Sequence, residues 1–404
     1  MNKQRKEFQI VYLNPPQRIA IGWGVYETIA NECKNYGIKK ALLITTGLKK
    51  TGIIDEVSQV LKFNGVAFEI FDKVSSNPRD FQAMEAFQAY KDAQCDGIVT
   101  VGGGSSHDVG KAVRLLIANP EKHITEMAAW LDPPWYPEML KLKHVTTPQI
   151  CLNTTCGTGA ESTNLSVINN TKSRFKFMTP PVPGLGPSMA LIDPLFVRLQ
   201  PSHMIAQTGF DAFSHAMEGY INRIPSRHTA ALAIQVMKLV AENLREFASN
   251  RMNDIACENM CWAESMAGVG LCLGAGIGIV HGCGHVMAAL TDAHHGFING
   301  ILSSPLERWN QPACPDKFAD IARLSFGVNT TGMTRMEASD KFFDEMDRLL
   351  TDLGIKSGHL KQQIGLQEKD LEHVARYYQI DWGREGNPRD STIAQTVELL
   401  RSIL

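Results

Sequence analysis

Asp211 and His215 stand four residues apart in MIAQTGFDAFSHAMEGY, a run with helix-forming composition, so a carboxylate and an imidazole share one helical face and can converge on one ion. His281 and His285 repeat that spacing, and His294 and His295 follow after a short apolar run. One carboxylate with several imidazoles suits Fe(II) or Zn(II) and makes a poor calcium or magnesium shell, which wants mainly oxygen. A single histidine on an apolar face is usually a hydrogen-bonded core residue. Four within 15 positions, with no acidic or basic side chain between Ser265 and Asp292, point instead to a metal site.

Two glycine-rich segments carry a second chemistry. Gly102-Gly103-Gly104-Ser105-Ser106-His107-Asp108 follows the strand-like run GIVTV and precedes a helical run, so backbone N–H groups and Ser105 can cradle a pyrophosphate. It is not GxGxxG, and a turn of this kind can serve the fold alone. Asn153-Thr154-Thr155-Cys156-Gly157-Thr158-Gly159-Ala160-Glu161 also follows a strand; its hydroxyls suit ribose or phosphate contacts, and Thr158 with Glu161 alternatively reads as a helix capping box.

These groups need a scaffold. Residues 41–45, 66–71, 97–101, 147–152 and 189–192 are apolar runs of strand length, and 55–63 and 80–93 have helical spacing between them. Continuously apolar strands separated by helices predict a parallel sheet covered on both faces. From residue 202 onward amphipathic runs dominate, at 226–248, 256–273, 317–324 and 338–353. The proline-rich stretch 180–187 is read as the joint, giving an α/β dinucleotide-binding domain over 1–186 and an all-helical metal-binding domain over 187–404. A cleft between the two is the expected ligand site.

Composition narrows the function classes. Forty basic against 42 acidic residues leave a net charge of -2, so no global field draws the chain to nucleic acid or anionic lipid. The uncharged stretch 265–291 exceeds the ~20 residues that span a bilayer, but its seven glycines and two histidines read as a buried helical hairpin. Nine dispersed cysteines without a CxxC pair are expected to be reduced core residues, and the N-terminal segment lacks the apolar core of a signal peptide. A cytoplasmic protein acting on a small molecule is the expectation.

In this order the motifs resemble those of the iron-dependent (group III, metal-containing) alcohol dehydrogenases. GGGSSHDVGK is similar to that family's GGGSxxDxAK loop, NTTCGTGAE to PTTxGTGSE, TGFDAFSHAMEGY to TGxDALxHAxExY, and HGCGHVMAALTDAHHG to HGxxHxLGxxxxxxHG. The resemblance implies a Rossmann-like N-terminal domain with an all-α C-terminal domain, a nicotinamide cofactor, one Fe(II) or alternatively Zn(II), and a homodimer or larger homo-oligomer. It also implies Asp211, His215, His281 and His295 as metal ligands and His285 as a catalytic proton-relay residue. Gly103, Gly104 and Ser105 would lie at the pyrophosphate, and Asp108, Thr154, Thr155, Thr158 and Lys176 would contact the cofactor elsewhere. His294 has no counterpart in the motif.

The departures also matter. The acidic residue expected after the first βα strand is replaced by Ile44-Thr45-Thr46-Gly47, with Lys49 and Lys50 close by, so NADP fits beside NAD. Asn153 replaces the family's proline. The segment 381–389 resembles a loop that closes over substrate, and its Trp382 and Arg384 are read as substrate contacts, Arg384 suiting a short anionic aldehyde such as sulfoacetaldehyde or a semialdehyde. The implied reaction is hydride transfer between a small primary alcohol and its aldehyde. A transhydrogenase, a lyase like the dehydroquinate synthases, and a non-enzymatic metal or nucleotide binder are the alternatives.

Overall fold

The computed structural model describes residues 18–48, 50–129, 141–224, 226–274 and 276–404. Lys49 and the first 17 residues of the expected N-terminal domain lie outside them. The five apolar runs form strands β2 (Lys40–Thr45), β3 (Ala67–Phe71), β4 (Gly97–Gly102), β5 (Gln149–Asn153) and β8 (Met189–Ile192), while the strands β1 (Ile19–Ile21), β6 (Val167–Asn170) and β7 (Phe175–Met178) lie outside those runs. Six of the strands make one sheet in the order β1-β8-β5-β4-β2-β3, every pair parallel. β4, β5 and β8 are buried along their whole length, which is why they read as unbroken apolar runs rather than alternating ones. Helices α1 (Ile29–Asn35), α2 (Ile53–Phe63), α3 (Asp80–Asp92) and α4 (Gly104–Ala118) connect these strands, while β6 and β7 form a separate antiparallel hairpin.

The helical half comprises α5 (Pro194–Val197), α6 (Ser202–Ile221), α7 (Arg227–Ser249), α8 (Asp254–Cys272), α9 (Ile279–Thr291), α10 (His295–Asn310), α11 (Pro315–Ser325), α12 (Arg335–Asp352), α13 (Leu360–Ile364), α14 (Leu371–Tyr378), α15 (Trp382–Gly386) and α16 (Ile393–Arg401). The uncharged stretch forms the end of α8, a turn and α9, whose residues 279–288 are all buried. Among the described residues no helix is long and apolar enough to cross a membrane.

The joint between the halves differs from the expectation. The 180–187 stretch leads into β8, which inserts between β1 and β5, so the α/β half runs past residue 186 to Ile192. The turn comes at Asp193, which caps α5 by accepting from Leu195 N (3.0 Å) and also accepts from Gly24 N (3.2 Å) and Tyr26 N (3.0 Å). A proline-rich segment breaks regular structure equally well inside a domain as between domains. Cys156 and Cys283, inside the chemical motifs, are fully buried free thiols whose pKa burial pushes up, so they are inert core groups.

Candidate active site

β4 and β5 are neighbours in register, with Gly102 beside Asn153, so the two glycine-rich segments leave the sheet side by side at its carboxyl edge. That edge is where parallel sheets bind ligands. The segments interlock. A Cβ on Gly103 would lie 2.5 Å from Thr155 Cγ2 and one on Gly104 would lie 3.0 Å from Thr158 Cγ2, so only glycine lets the turn sit against the threonines. Thr154 N donates to Gly102 O at 3.0 Å, fixing one loop to the other. The helix opened by the glycines, α4, points its first N–H groups toward the cavity that Gly103, Gly104 and Ser105 line. The segment 158–161 starts no helix, so the capping-box alternative is not realised: Glu161 is fully buried and accepts from Ser162 Oγ at 2.9 Å.

Asp108 stands between the cavity and a buried cation. It borders the cavity, but its carboxylate is paired with the buried Lys111 at 2.8 Å, which also donates to Ala160 O and Thr163 Oγ1 at 2.9 Å each. An acid placed to face a pyrophosphate would repel it; here its charge is spent on a cation that steadies the second loop. Lys176, on β7, donates to Asn77 Oδ1 (3.2 Å), and burial lowers its pKa to about 8.

The metal-binding side is built from helices. Asp211, His215 and Glu218 occupy positions i, i+4 and i+7 of α6, one face of one helix. Asp211, His281 (α9) and His295 (α10) each offer a ligand atom within 4.8 Å of the other two. Asp211 Oδ1 lies 3.6 Å from His281 Nε2 and 3.9 Å from His295 Nε2. Bonds of about 2.1 Å at tetrahedral angles would set ligand atoms about 3.4 Å apart, so the cluster is close to the size a Zn- or Fe-like ion requires. His215 is not part of that three-residue cluster; its ring stacks on His281 with centroids 4.2 Å apart.

The electrostatics of the cluster fit a cation. Burial opposes ionisation of Asp211, but the imidazoles of His215, His295 and His281 hold its carboxyl well below the usual range. Burial, then His281, pushes His215 down to about 4, and burial with Lys176 pushes His295 well below the ordinary imidazole value, so both are neutral as ligands must be. His281 is the exception: burial works against its charge, yet Glu218 and Asp211 raise it to about 9, so this point favours positive charge. His281 Nε2 is buried without a protein hydrogen-bond partner. Its other nitrogen, Nδ1, meets Glu218 Oε2 at 2.5 Å, and Glu218 Oε1 accepts from Val280 N at 2.7 Å. A carboxylate behind a histidine fixes the tautomer and aims the free nitrogen at the ion.

The chain matches the family model described as iron-containing alcohol dehydrogenase over residues 16–194 and that of the Fe-containing alcohol dehydrogenase family, C-terminal, over 205–404. It belongs to the iron-containing alcohol dehydrogenase family. It is 35% identical to 1,3-propanediol dehydrogenase of Citrobacter freundii over 383 residues, covering 94% of this chain and 95% of that one. It is 32% identical to the NAD-dependent methanol dehydrogenase of Bacillus methanolicus over 393 residues, covering 96% and 98%. A crystal structure of 1,3-propanediol oxidoreductase superposes with a TM-score of 0.88 at 33% identity, covering 98% of this chain and 100% of that one.

In this dehydrogenase one cavity of about 990 Å³ runs between the halves, and the glycine loop, the threonine loop, Lys176, the metal cluster, His285 and Trp382 all line it. Arg384 does not. It is exposed and donates to Gln379 O at 3.4 Å, while its neighbour Glu385 faces the cavity, because the short helix α15 turns successive side chains to different sides. His285 Nδ1 lies 3.0 Å from Asp381 Oδ2, and the other oxygen of Asp381 accepts from Gly383 N at 2.7 Å, capping α15. A carboxylate accepts, so the proton is assigned to Nδ1 and the lone pair to Nε2.

Sequence reasoning missed four side chains that hydrogen-bond groups of the candidate site: Glu218, Asn299, Asp381 and Glu264. Glu218 was legible as a third residue on the Asp211 face. Asn299, four residues after His295, donates to Asp211 Oδ1 at 2.8 Å and shares that helical signal. Asp381 and Glu264 had no local signal, since their partners lie 96 and 111 residues away in the chain.

Proposed function

We propose that this member of the family is an NAD-linked, metal-dependent dehydrogenase that interconverts a short, neutral primary alcohol or diol with its aldehyde. The observation that carries the reading is the single cavity lined both by the two interlocked loops at the sheet edge and by Asp211, His281 and His295. In this reading Asp211, His281 and His295, with His215 beside them, hold the cation, Fe(II) or alternatively Zn(II). The cation supplies Lewis acidity and the nicotinamide accepts or donates hydride. Gly103, Gly104 and Ser105 bind the pyrophosphate; Thr154, Thr155, Thr158 and Lys176 orient the remainder. His285 takes or returns the alcohol proton at Nε2, with Asp381 holding the ring. Trp382 excludes water on the side of α15.

A neutral substrate is favoured because Arg384, the basis for an anionic one, lies outside the cavity. The 1,3-propanediol and methanol dehydrogenases among the relatives are in keeping with this. The buried free thiols suit a reducing, cytoplasmic setting, which is part of the proposal.

The test is steady-state reduction of acetaldehyde, 3-hydroxypropanal and sulfoacetaldehyde by NADH and NADPH, with iron and zinc measured in the same preparation. The neutral aldehydes with NADH are expected to be turned over fastest, in proportion to metal content. Turnover independent of metal, or a preference for sulfoacetaldehyde, overturns the reading.

A further inference from the structure

Glu264, in the middle of α8, is fully buried and reaches out of the helical half into the α/β half. Its Oε2 accepts from Asn153 Nδ2 at 2.6 Å and its Oε1 from Gly159 N at 3.4 Å. Asn153, the last residue of β5, uses the same amide to hold the threonine loop: Nδ2 donates to Thr155 O at 2.8 Å, while Oδ1 accepts from Thr155 N and Thr155 Oγ1 at 3.2 Å each. At the far end of the loop, Gly159 has φ +60°, and a Cβ there would lie 2.5 Å from Gly268 Cα on α8. Both ends of the loop are thus gripped by one helix of the other half, with its threonines presented between them.

We propose that Glu264 is a positioning residue for the cofactor: it clamps the Asn153–Gly159 loop so that Thr154, Thr155 and Thr158 stand in register with the glycine turn. The inference rests on the reading that this loop binds the dinucleotide. Glu161 is the second half of the clamp. Its carboxyl is also fully buried and in contact with that of Glu264, and burial, with each carboxylate beside the other, raises the Glu264 pKa well above the ordinary value. Burial likewise raises Glu161, while the nearest cation, Lys111, is already paired with Asp108. Two carboxyls in contact in a dry site share a proton, so the clamp works as a hydrogen-bonded acid–carboxylate pair with one charge rather than as two charges.

The chemistry sets the substitutions. In Glu264→Gln the amide oxygen still accepts from Asn153 and the amide nitrogen can donate toward Glu161 but no longer accepts from Gly159 N, whereas Glu264→Leu removes both acceptors and leaves buried donors unsatisfied. Asn153→Ala cuts the same link from the sheet side without touching α8. NADH affinity is read by fluorescence titration of the metal-loaded enzyme, alongside kcat, KM and metal content. Glu264→Leu and Asn153→Ala are each expected to weaken NADH binding by about tenfold or more, as expected for one lost buried hydrogen bond. Metal content and kcat at saturating NADH should stay near wild type, and Glu264→Gln, which keeps the Asn153 link, should restore much of the affinity lost in Glu264→Leu. If Glu264→Leu fails to fold, Asn153→Ala decides. Wild-type NADH affinity in Asn153→Ala, or loss in Glu264→Gln equal to that in Glu264→Leu, overturns the proposal. A wild-type enzyme that binds neither NADH nor NADPH overturns the dinucleotide reading itself, and the clamp with it.

Discussion

The two walls of the cavity are made differently. On the helical side the functional atoms belong to side chains carried by α6, α9 and α10, and Glu218, Asn299 and Asp381 aim them. On the sheet side the functional atoms are largely backbone N–H groups and short hydroxyls on two turns, and shape rather than charge aims them, through glycines that allow Thr155 and Thr158 to nest. The buried carboxyls behind each wall follow the same division. Glu218 faces an imidazole and, with Asp211, raises the pKa of His281 to about 9; Glu264 faces another carboxyl, and burial beside it drives Glu264 toward its neutral form. The lesson is that a cation site needs charge organised around it, while a pyrophosphate turn needs space and donors.

Substitutions on the two walls should therefore fail in different observables. The largest effect is expected from Asp211→Ala or His281→Ala, with metal retention and turnover lost together, the latter by more than about a thousandfold; elemental analysis beside an NADH assay checks this, and a metal-free variant with full turnover would break the comparison. Glu218→Gln is expected to weaken metal affinity by about 10- to 100-fold while the fold persists. Competition of Co(II) against a chromophoric chelator measures it, and NADH affinity should not move. Gly103→Ala is the mirror case: its new methyl collides with Thr155, so NADH affinity should fall by about tenfold for a steric cost of about 1.4 kcal/mol, with metal content intact.

The smallest effect is a pH slope. Glu264 has a folded pKa above its unfolded value of 4.5, so the stability carried by its protonated form is complete below pH 4.5 and is lost as pH rises through the folded pKa. The groups facing it are Glu161, which titrates in the same direction, and the buried thiols of Cys156 and Cys261. Chemical denaturation of Glu264→Gln across pH 5 to 8 should show a slope shallower than wild type by at most about 1.4 kcal/mol per pH unit. An unchanged slope would mean that the sheet-side acid is charged after all, and the contrast with Glu218 would disappear.

How much of this was legible in the sequence follows the same division. The strands and helices that position the site were readable because burial on both faces leaves unbroken apolar runs in β4 and β5 and amphipathic periodicity in α7 and α12. The presence of a metal site was signalled by the carboxylate and imidazoles at i and i+4, but which three of them converge came only from the family resemblance, since Asp211, His281 and His295 stand on three different helices. What could not be read was pairing across long separations: Asp381 with His285, and Glu264 with Asn153. Arg384 was misjudged for a local reason, since one residue of difference on the short helix α15 turns a side chain from the cavity to the surface, and its neighbour Glu385 took the inward direction. The 180–187 stretch misled because breaking a strand and ending a domain require the same residues.

Asp211, His281 and His295 come from three separate helices, and a shared ion would join all three at a point where Glu218 already bridges α6 to α9 and Asn299 bridges α10 to α6. A resident cation is therefore also a cross-link. By mass action, a free ion at a thousand times its dissociation constant adds about 4 kcal/mol to the folded state. The melting temperature of the helical half should then track the logarithm of metal concentration, and chelation should lower it even in a variant that cannot bind dinucleotide. Metal supply would thus govern how long the protein lasts as well as how fast it works.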